Sequence, residues 1–222
     1  MTDLIDVSLS FYDGQKTYPA PTHITTELGF TGSHEKEGMA VSTLKTSTHA
    51  GTHIDSPFHF IADGQKIDEL PPEKFITKAV VMDFSEKGAK GAINAQEMEE
   101  KGVEVQKGDI VVTRTDWSDE MEGTPEFFSK SPYLTPDAAE WLVEKNVTGY
   151  GIDAGNVENP DLAGTDRAGD IHKILLGGGL IIIEGLTNLS KVPEGRHDIF
   201  ALPLKLEKRD GAPARVMIKV NN

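Results

Sequence analysis

The chain opens on strict alternation. Ile5, Val7 and Leu9 fall on one face and Asp6, Ser8 and Ser10 on the other, the period-two pattern of a half-buried strand. Asp13-Gly14 then predicts a turn. Each proline of Tyr18-Pro19-Ala20-Pro21 pushes its predecessor toward an extended backbone, so a stiff loop carries Tyr18. An aromatic held this way lines a pocket or packs against the body, and pattern alone favours packing. Residues 24–30 and 41–46 are β-rich, and the charged stretch 32–38 between them places His34 in solvent, outside any site.

Residues 79–84 and 109–113 read as short apolar strands. Between them Asn94 and Glu97 have capping-box spacing and open a helix over 95–101 that Gly102 stops. Thr135-Pro136 starts a second helix, with Ala138, Trp141 and Leu142 at helical spacing and Asn146 at its end. Residues 147–152 return as strand and close with Asp153. A short amphipathic helix over 170–176 carries His172 and stops at Gly177-Gly178-Gly179; the strand 180–183 follows and runs into Glu184. Residues 199–206, the Asp210-Gly211 turn and 216–220 form a hairpin pattern. Strands interspersed with a few short helices predict an α/β domain with a mixed sheet.

Composition narrows the classes. A chain of 222 residues without a linker-like tract, low-complexity run or fixed-period repeat predicts one domain over 1–222. Twenty-two basic against 36 acidic residues give a net charge of −14, which disfavours nucleic acid and anionic membrane as partners. There is no cysteine, so any metal is held by nitrogen and oxygen. The N-terminus lacks the basic start and apolar core of a signal peptide, and 174–183 is too short to span a bilayer, so the cytoplasm is the expected compartment.

The chemistry concentrates between His49 and His59. Three of the seven histidines and Asp55 fall within this stretch, and neutral imidazoles beside a carboxylate suit a zinc, manganese or iron ion. His53 and Asp55 are two apart, so on an extended segment both leave one face. His49 on the same straight strand would lie roughly 13 Å from His53. The chain must therefore fold back between them, and Gly51 is free to take the positive φ that allows it. His59 is either a further ligand or an acid and base beside the ion. Glu184, placed directly after four apolar residues, needs a neutralising partner: a metal, a Lys or Arg, or water.

With both halves in view, the chain resembles the metal-dependent cyclase family, whose members include bacterial kynurenine formamidase and isatin hydrolase. The matching residues are His49-Ala50-Gly51-Thr52-His53-Ile54-Asp55-Ser56-Pro57-Phe58-His59, then His172 with Glu184-Gly185-Leu186, then 201–205 and Asp210-Gly211-Ala212-Pro213. Coverage is nearly the whole chain. The resemblance implies a swivelling β/α/β fold and homodimers or larger homo-oligomers. It implies that His49, His53 and Asp55 bind one divalent metal, zinc or manganese, and that His172 and Glu184 face a second position. Asp55 and Glu184 then bridge one or two ions per chain. It makes His59 the proton donor and acceptor and Tyr18 a substrate contact. Tyr18 replaces the family's usual tryptophan, Ala20 and Asp116 replace usual glycines, and these departures bear on the substrate rather than on the metal set.

The expected activity is hydrolysis of a small-molecule amide, lactam or ester, with an aryl formamide or a cyclic amide such as isatin foremost. A metal would activate water, and His59 would serve as general base and acid. Two alternatives stand beside it. His53, Asp55 and His172 satisfy the two-histidine, one-carboxylate pattern of non-haem iron oxygenases, although no Arg-x-Ser follows His172 and His49 and His59 would have no role. A non-catalytic metal- or ligand-binding member of the same fold would have a coordinatively closed site.

Overall fold

The structure, a computed structural model, describes residues 3–221. β1 (Leu4–Asp6) takes up only the start of the alternating pattern; beyond it Ser8 makes a single bridge to Leu186. β2 (Glu27–Gly32) and β3 (Val41–Lys45) form an antiparallel hairpin, with the single helical turn α1 (His34–Glu37) at its tip. β2 starts later than the β-rich residues suggest, because Thr26 pairs with Gln15 across the preceding turn. His34 is exposed as expected, though it lies in a helical turn capped by Ser33 rather than in a loop.

β4 (His53–Asp55) is only three residues long and has no apolar run of its own to announce it. After it come β5 (Ile76–Asp83), the two-residue β6 (Ala92–Ile93), α2 (Ala95–Glu100) and β7 (Ile110–Arg114). Asn94 and Glu97 make the reciprocal capping box that opens α2. Next are α3 (Trp117–Met121), α4 (Glu126–Ser129), β8 (Tyr133–Leu134) and α5 (Pro136–Glu144), which starts at the anticipated proline. β9 (Gly149–Ile152), α6 (Asp170–Gly177) and β10 (Ile181–Glu184) bring the second histidine and acid. β11 (Gly195–Pro203) and β12 (Gly211–Lys219) close the chain as a hairpin.

One eight-stranded mixed sheet organises these elements in the order β1-β12-β11-β5-β7-β9-β10-β4, and β4 also pairs with β12. That last pairing joins the two ends, so the sheet closes on itself and β1 alone flanks the ring. Strands β5, β7, β9 and β10 run parallel. They are continuous apolar runs because both faces are covered. On the outer face Val80, Met82, Val111 and Tyr150 pack against α5 and α6 through Leu142, Trp141 and Leu175. On the inner face Val81, Ile110, Val112, Ile181 and Ile183 meet Ile54, Ile199 and Ala201. Each fully buried aliphatic side chain is worth about 1.5–3 kcal/mol relative to exposure, so the ring is rigid ground for whatever its strand ends carry. Asp55 lies opposite Ile182 and His53 opposite Glu184 in the β4–β10 register. A short strand and a remote one thereby deliver a histidine and two acids to one place.

Candidate metal centre

The turn from His49 to His53 forms as its glycine suggests. Gly51 has φ +56°, a left-handed conformation that costs most residues about 1–2 kcal/mol. Thr52, fully buried, locks the turn: its hydroxyl donates to the Gly185 carbonyl at 2.5 Å and accepts from Leu9 N at 2.7 Å. Gly185 is required here too, since a Cβ on it would stand 2.5 Å from the Gly51 oxygen. The fold-back brings the His49 and His53 rings to 5.2 Å between centroids.

Three imidazoles then share one arrangement, with the outer nitrogen held by an acceptor and the inner one turned toward Asp55. His53 Nδ1 donates to the Gly51 carbonyl at 3.0 Å, which leaves Nε2 as a bare lone pair. His172, on the first turn of α6, has Nδ1 on Glu158 Oε1 at 2.8 Å. His49 has Nε2 on Asp210 Oδ2 at 2.6 Å. On the inner side, His53 Nε2 stands 3.4 Å from Asp55 Oδ1 and 3.5 Å from Glu184 Oε2. His172 Nε2 stands 3.5 Å from both Asp55 Oδ2 and Glu184 Oε1. His49 Nδ1 is closer, 2.7 Å from Asp55 Oδ1.

These spacings fit metal ligands. Separations of 3.4–3.5 Å are too long for good hydrogen bonds, but two donors about 2.1 Å from one ion at a tetrahedral angle stand about 3.4 Å apart. His53 Nε2 and Asp55 Oδ2 are buried and make no hydrogen bond, an expensive state for polar atoms unless a cation lies between them. The donor set, all imidazole nitrogen and carboxylate oxygen, suits a divalent metal ion. Two overlapping triads, His53-Asp55-Glu184 and His49-Asp55-His59, each place their donor atoms within 4.8 Å of one another, with Asp55 common to both. Glu184 faces both His53 and His172, so the isolated two-histidine, one-carboxylate set of an oxygenase does not form.

The electrostatics follow from the partners. Burial holds the His53 imidazole below its ordinary value against the pull of Asp55 and Glu184. Burial would also depress His49, but Asp55 and Asp210 outweigh it and push it up to about 10. His172 is likewise raised by Asp55, Glu158 and Glu184 despite burial. Burial alone would raise the Asp55 carboxyl, yet the three imidazoles hold it well below the usual range. His49 and His172 would give up the protons on these inner nitrogens to hold a cation there.

His59 sits on a single 3-10 turn, Pro57–His59. Its ring stacks on His49 at 3.9 Å between centroids and its Nδ1 lies 3.5 Å from Asp210 Oδ2. Above these side chains opens a cavity of about 510 Å³, lined among others by His59, Tyr18, His23, Phe60 and Phe128. Tyr18 packs edge-on against both Phe128 and His23 at 5.9 Å, so it both packs and lines the pocket. His49, His53, Asp55, His59, His172 and Glu184 therefore converge on one centre, and Tyr18 lines the cavity above it. Sequence reading gave no site role to Asp210, placed only in a turn and in a matching motif, and missed Glu158, His23 and Phe60. Asp210 adjoins a glycine in a matched motif, which was the available signal; Glu158 lies in an irregular segment that offered none.

The chain is similar to known proteins over most of its length. The Cyclase family model matches residues 5–159. Kynurenine formamidase of Bacillus cereus is 31% identical over 98% of this chain and 98% of its own. An isatin hydrolase bound to the product analogue thioisatinate superposes with a TM-score of 0.91 at 25% identity, covering 99% of this chain and 92% of that one. A structure described as a potential metal-dependent hydrolase with cyclase activity gives a TM-score of 0.77 at 31% identity, covering 99% and 98%. A closed sheet whose strand ends gather histidines and carboxylates, and a match over most of the chain, make this protein a member of the Cyclase family.

Proposed function

We propose that this chain is a metal-dependent hydrolase of non-peptide C–N bonds, acting on an aryl formamide or a cyclic amide of the isatin type. The observation that carries the reading is the pair of orphaned buried ligand atoms, His53 Nε2 and Asp55 Oδ2, on the floor of an aromatic-walled cavity. The names of the relatives, kynurenine formamidase and isatin hydrolase, supply the substrate class. His49, His53 and Asp55 are assigned to one divalent ion and His172 and Glu184 to a second position, with Asp55 and Glu184 common to the two. Zinc or manganese is the expected metal.

Amides resist water because the carbonyl is a poor electrophile and neutral water a poor nucleophile. A divalent ion, when bound, lowers the pKa of water toward about 7 and polarises the carbonyl. His59 takes the proton of the attacking water and returns it to the leaving nitrogen. Asp210, 3.5 Å from His59 Nδ1, stands where it steadies the ring as it becomes charged. Tyr18, Phe60 and Phe128 present aromatic surface to an aryl substrate and restrict water. Protein purified without chelator should contain zinc or manganese and hydrolyse formanilides or isatin. Stripping the metal should abolish turnover and reloading should restore it. Metal-replete protein inert toward aryl formamides, lactams and lactones would contradict the assignment and favour a binding role.

A homodimer belongs to the same proposal. The β2–β3 hairpin exposes Phe30 at 79%, Met39 at 58% and Leu44 at 50%, and an isolated two-stranded hairpin is marginally stable in water. A second copy covering it is the arrangement we assign, and sedimentation of the wild type against Phe30→Glu checks it. No helix among the described residues is long and apolar enough to cross a membrane, and the cytoplasm is the compartment we assign, which cell fractionation tests.

A further inference from the structure

We infer that Glu158 is a positioning residue that sets His172 for metal binding, an inference that rests on the proposed metal-dependent activity. One carboxylate oxygen does two jobs. Glu158 Oε1 accepts from the His172 backbone N–H at 2.9 Å and from its Nδ1–H at 2.8 Å. The residue at the N-cap of α6, Gly169, makes no side-chain cap. Glu158 therefore satisfies an otherwise orphaned N–H of the first turn and fixes the ring with Nε2 facing Asp55 and Glu184. A carboxylate on the outer nitrogen also raises the basicity of a ligating imidazole.

Two further observations separate this role from ordinary packing. Among the described residues the charge partner of Glu158 is His172, and Glu158 Oε2 is buried without a hydrogen bond. A half-satisfied carboxylate is an unfavourable scaffold element, which is understandable where its charge acts through a histidine toward a cation. The segment around it serves the same half of the centre. Asn156 Oδ1 accepts from Glu158 N at 2.7 Å, and Val157 N donates to Glu184 Oε1 at 3.1 Å. Residues 156–158 thus hold both His172 and Glu184, whereas His53 is oriented by Gly51 on a separate turn.

The test is titration of manganese into metal-stripped wild type, Glu158→Gln and Glu158→Ala, read by calorimetry, with melting in chelator as the check on folding. The expected result is that Glu158→Ala weakens one ion by about 10–100-fold and leaves the other near wild type. Glu158→Gln, which keeps the acceptor and loses the charge, should fall between. If wild type takes a single ion, a loss of the same size with melting in chelator unchanged puts His172 on that ion and supports the inference. Unchanged affinities, or equal weakening of two ions, overturn it. If Glu158→Ala does not fold, Glu158→Gln decides: wild-type affinity overturns the inference and selective weakening supports it. Wild type that binds no manganese or zinc would instead sink the metal-dependent reading itself, and the role of Glu158 with it.

Discussion

The two halves of the centre are built in opposite ways. His49, His53 and Asp55 come from seven consecutive residues, and their convergence is set by one glycine turn and one three-residue strand. His172 and Glu184 come from a helix and the end of a parallel strand, and they meet only because β10 pairs with both β9 and β4. The first half is a local motif that a sequence can display; the second is a product of topology. Where they touch, Gly185 lies against Gly51, so backbone without a Cβ on either side forms the seam. Asp55 faces all three imidazoles, His49, His53 and His172, and Glu184 faces His53 and His172.

That role makes Asp55 the place to break both halves together. Asp55→Asn should remove metal from the protein and lower turnover to the level of stripped enzyme, a loss of several kcal/mol of transition-state stabilisation, about 10³-fold or more in rate. Metal analysis and steady-state kinetics on the same preparation check it. His59→Asn should separate chemistry from coordination, reducing kcat by about 10²–10⁴-fold while metal content stays at the wild-type level. Loss of metal in that variant would make His59 a ligand, an outcome the His49-Asp55-His59 triad makes worth measuring.

The seam is the next target. Gly185→Ala adds left-handed strain at φ +66° to a backbone clash with Gly51, and should destabilise the fold by about 2–4 kcal/mol. Gly51→Ala meets side chains rather than backbone, the Phe11 ring at 3.3 Å and Gln15 Nε2 at 3.7 Å, and should cost about 1–2 kcal/mol. Denaturant unfolding of the two variants orders them.

A pH series sharpens the comparison without mutation. In metal-stripped protein the folded pKa of His49 is raised to about 10 above an unfolded value of about 6.5. Its stabilisation is then complete below about pH 6.5 and lost as pH rises toward 10. His172 is raised as well and acts in the same direction. Metal binding to both rings would hold them neutral, and this alkaline decline should shrink. Melting temperature against pH, with chelator and with zinc, shows the difference.

Legibility followed the same division. The alternation of β1, the capping box of α2, the proline start of α5 and the glycine stop of α6 are local signals, and each element forms at or within a few residues of its expected bounds. β4 was hidden because three residues cannot show a period, although the shared face of His53 and Asp55 did show. α3 begins after Asp116, a non-glycine residue at φ +60° held by two hydrogen bonds from Arg114; the usual signals for a helix start are absent there. Glu158 and Asp210 escaped because an orienting carboxylate needs no spacing in sequence, only a place beside a histidine in the fold.

The proposed centre requires Asp55 and Glu184 to share a cation with histidines from both halves. Diffraction from crystals loaded with manganese or zinc, recorded at the metal's absorption edge, tests it directly. The expected result is anomalous density within about 2.0–2.2 Å of an Asp55 and a Glu184 carboxylate oxygen, reached by both His53 Nε2 and His172 Nε2. A saturated crystal with no peak there, or with ions bound only at surface carboxylates, would contradict it.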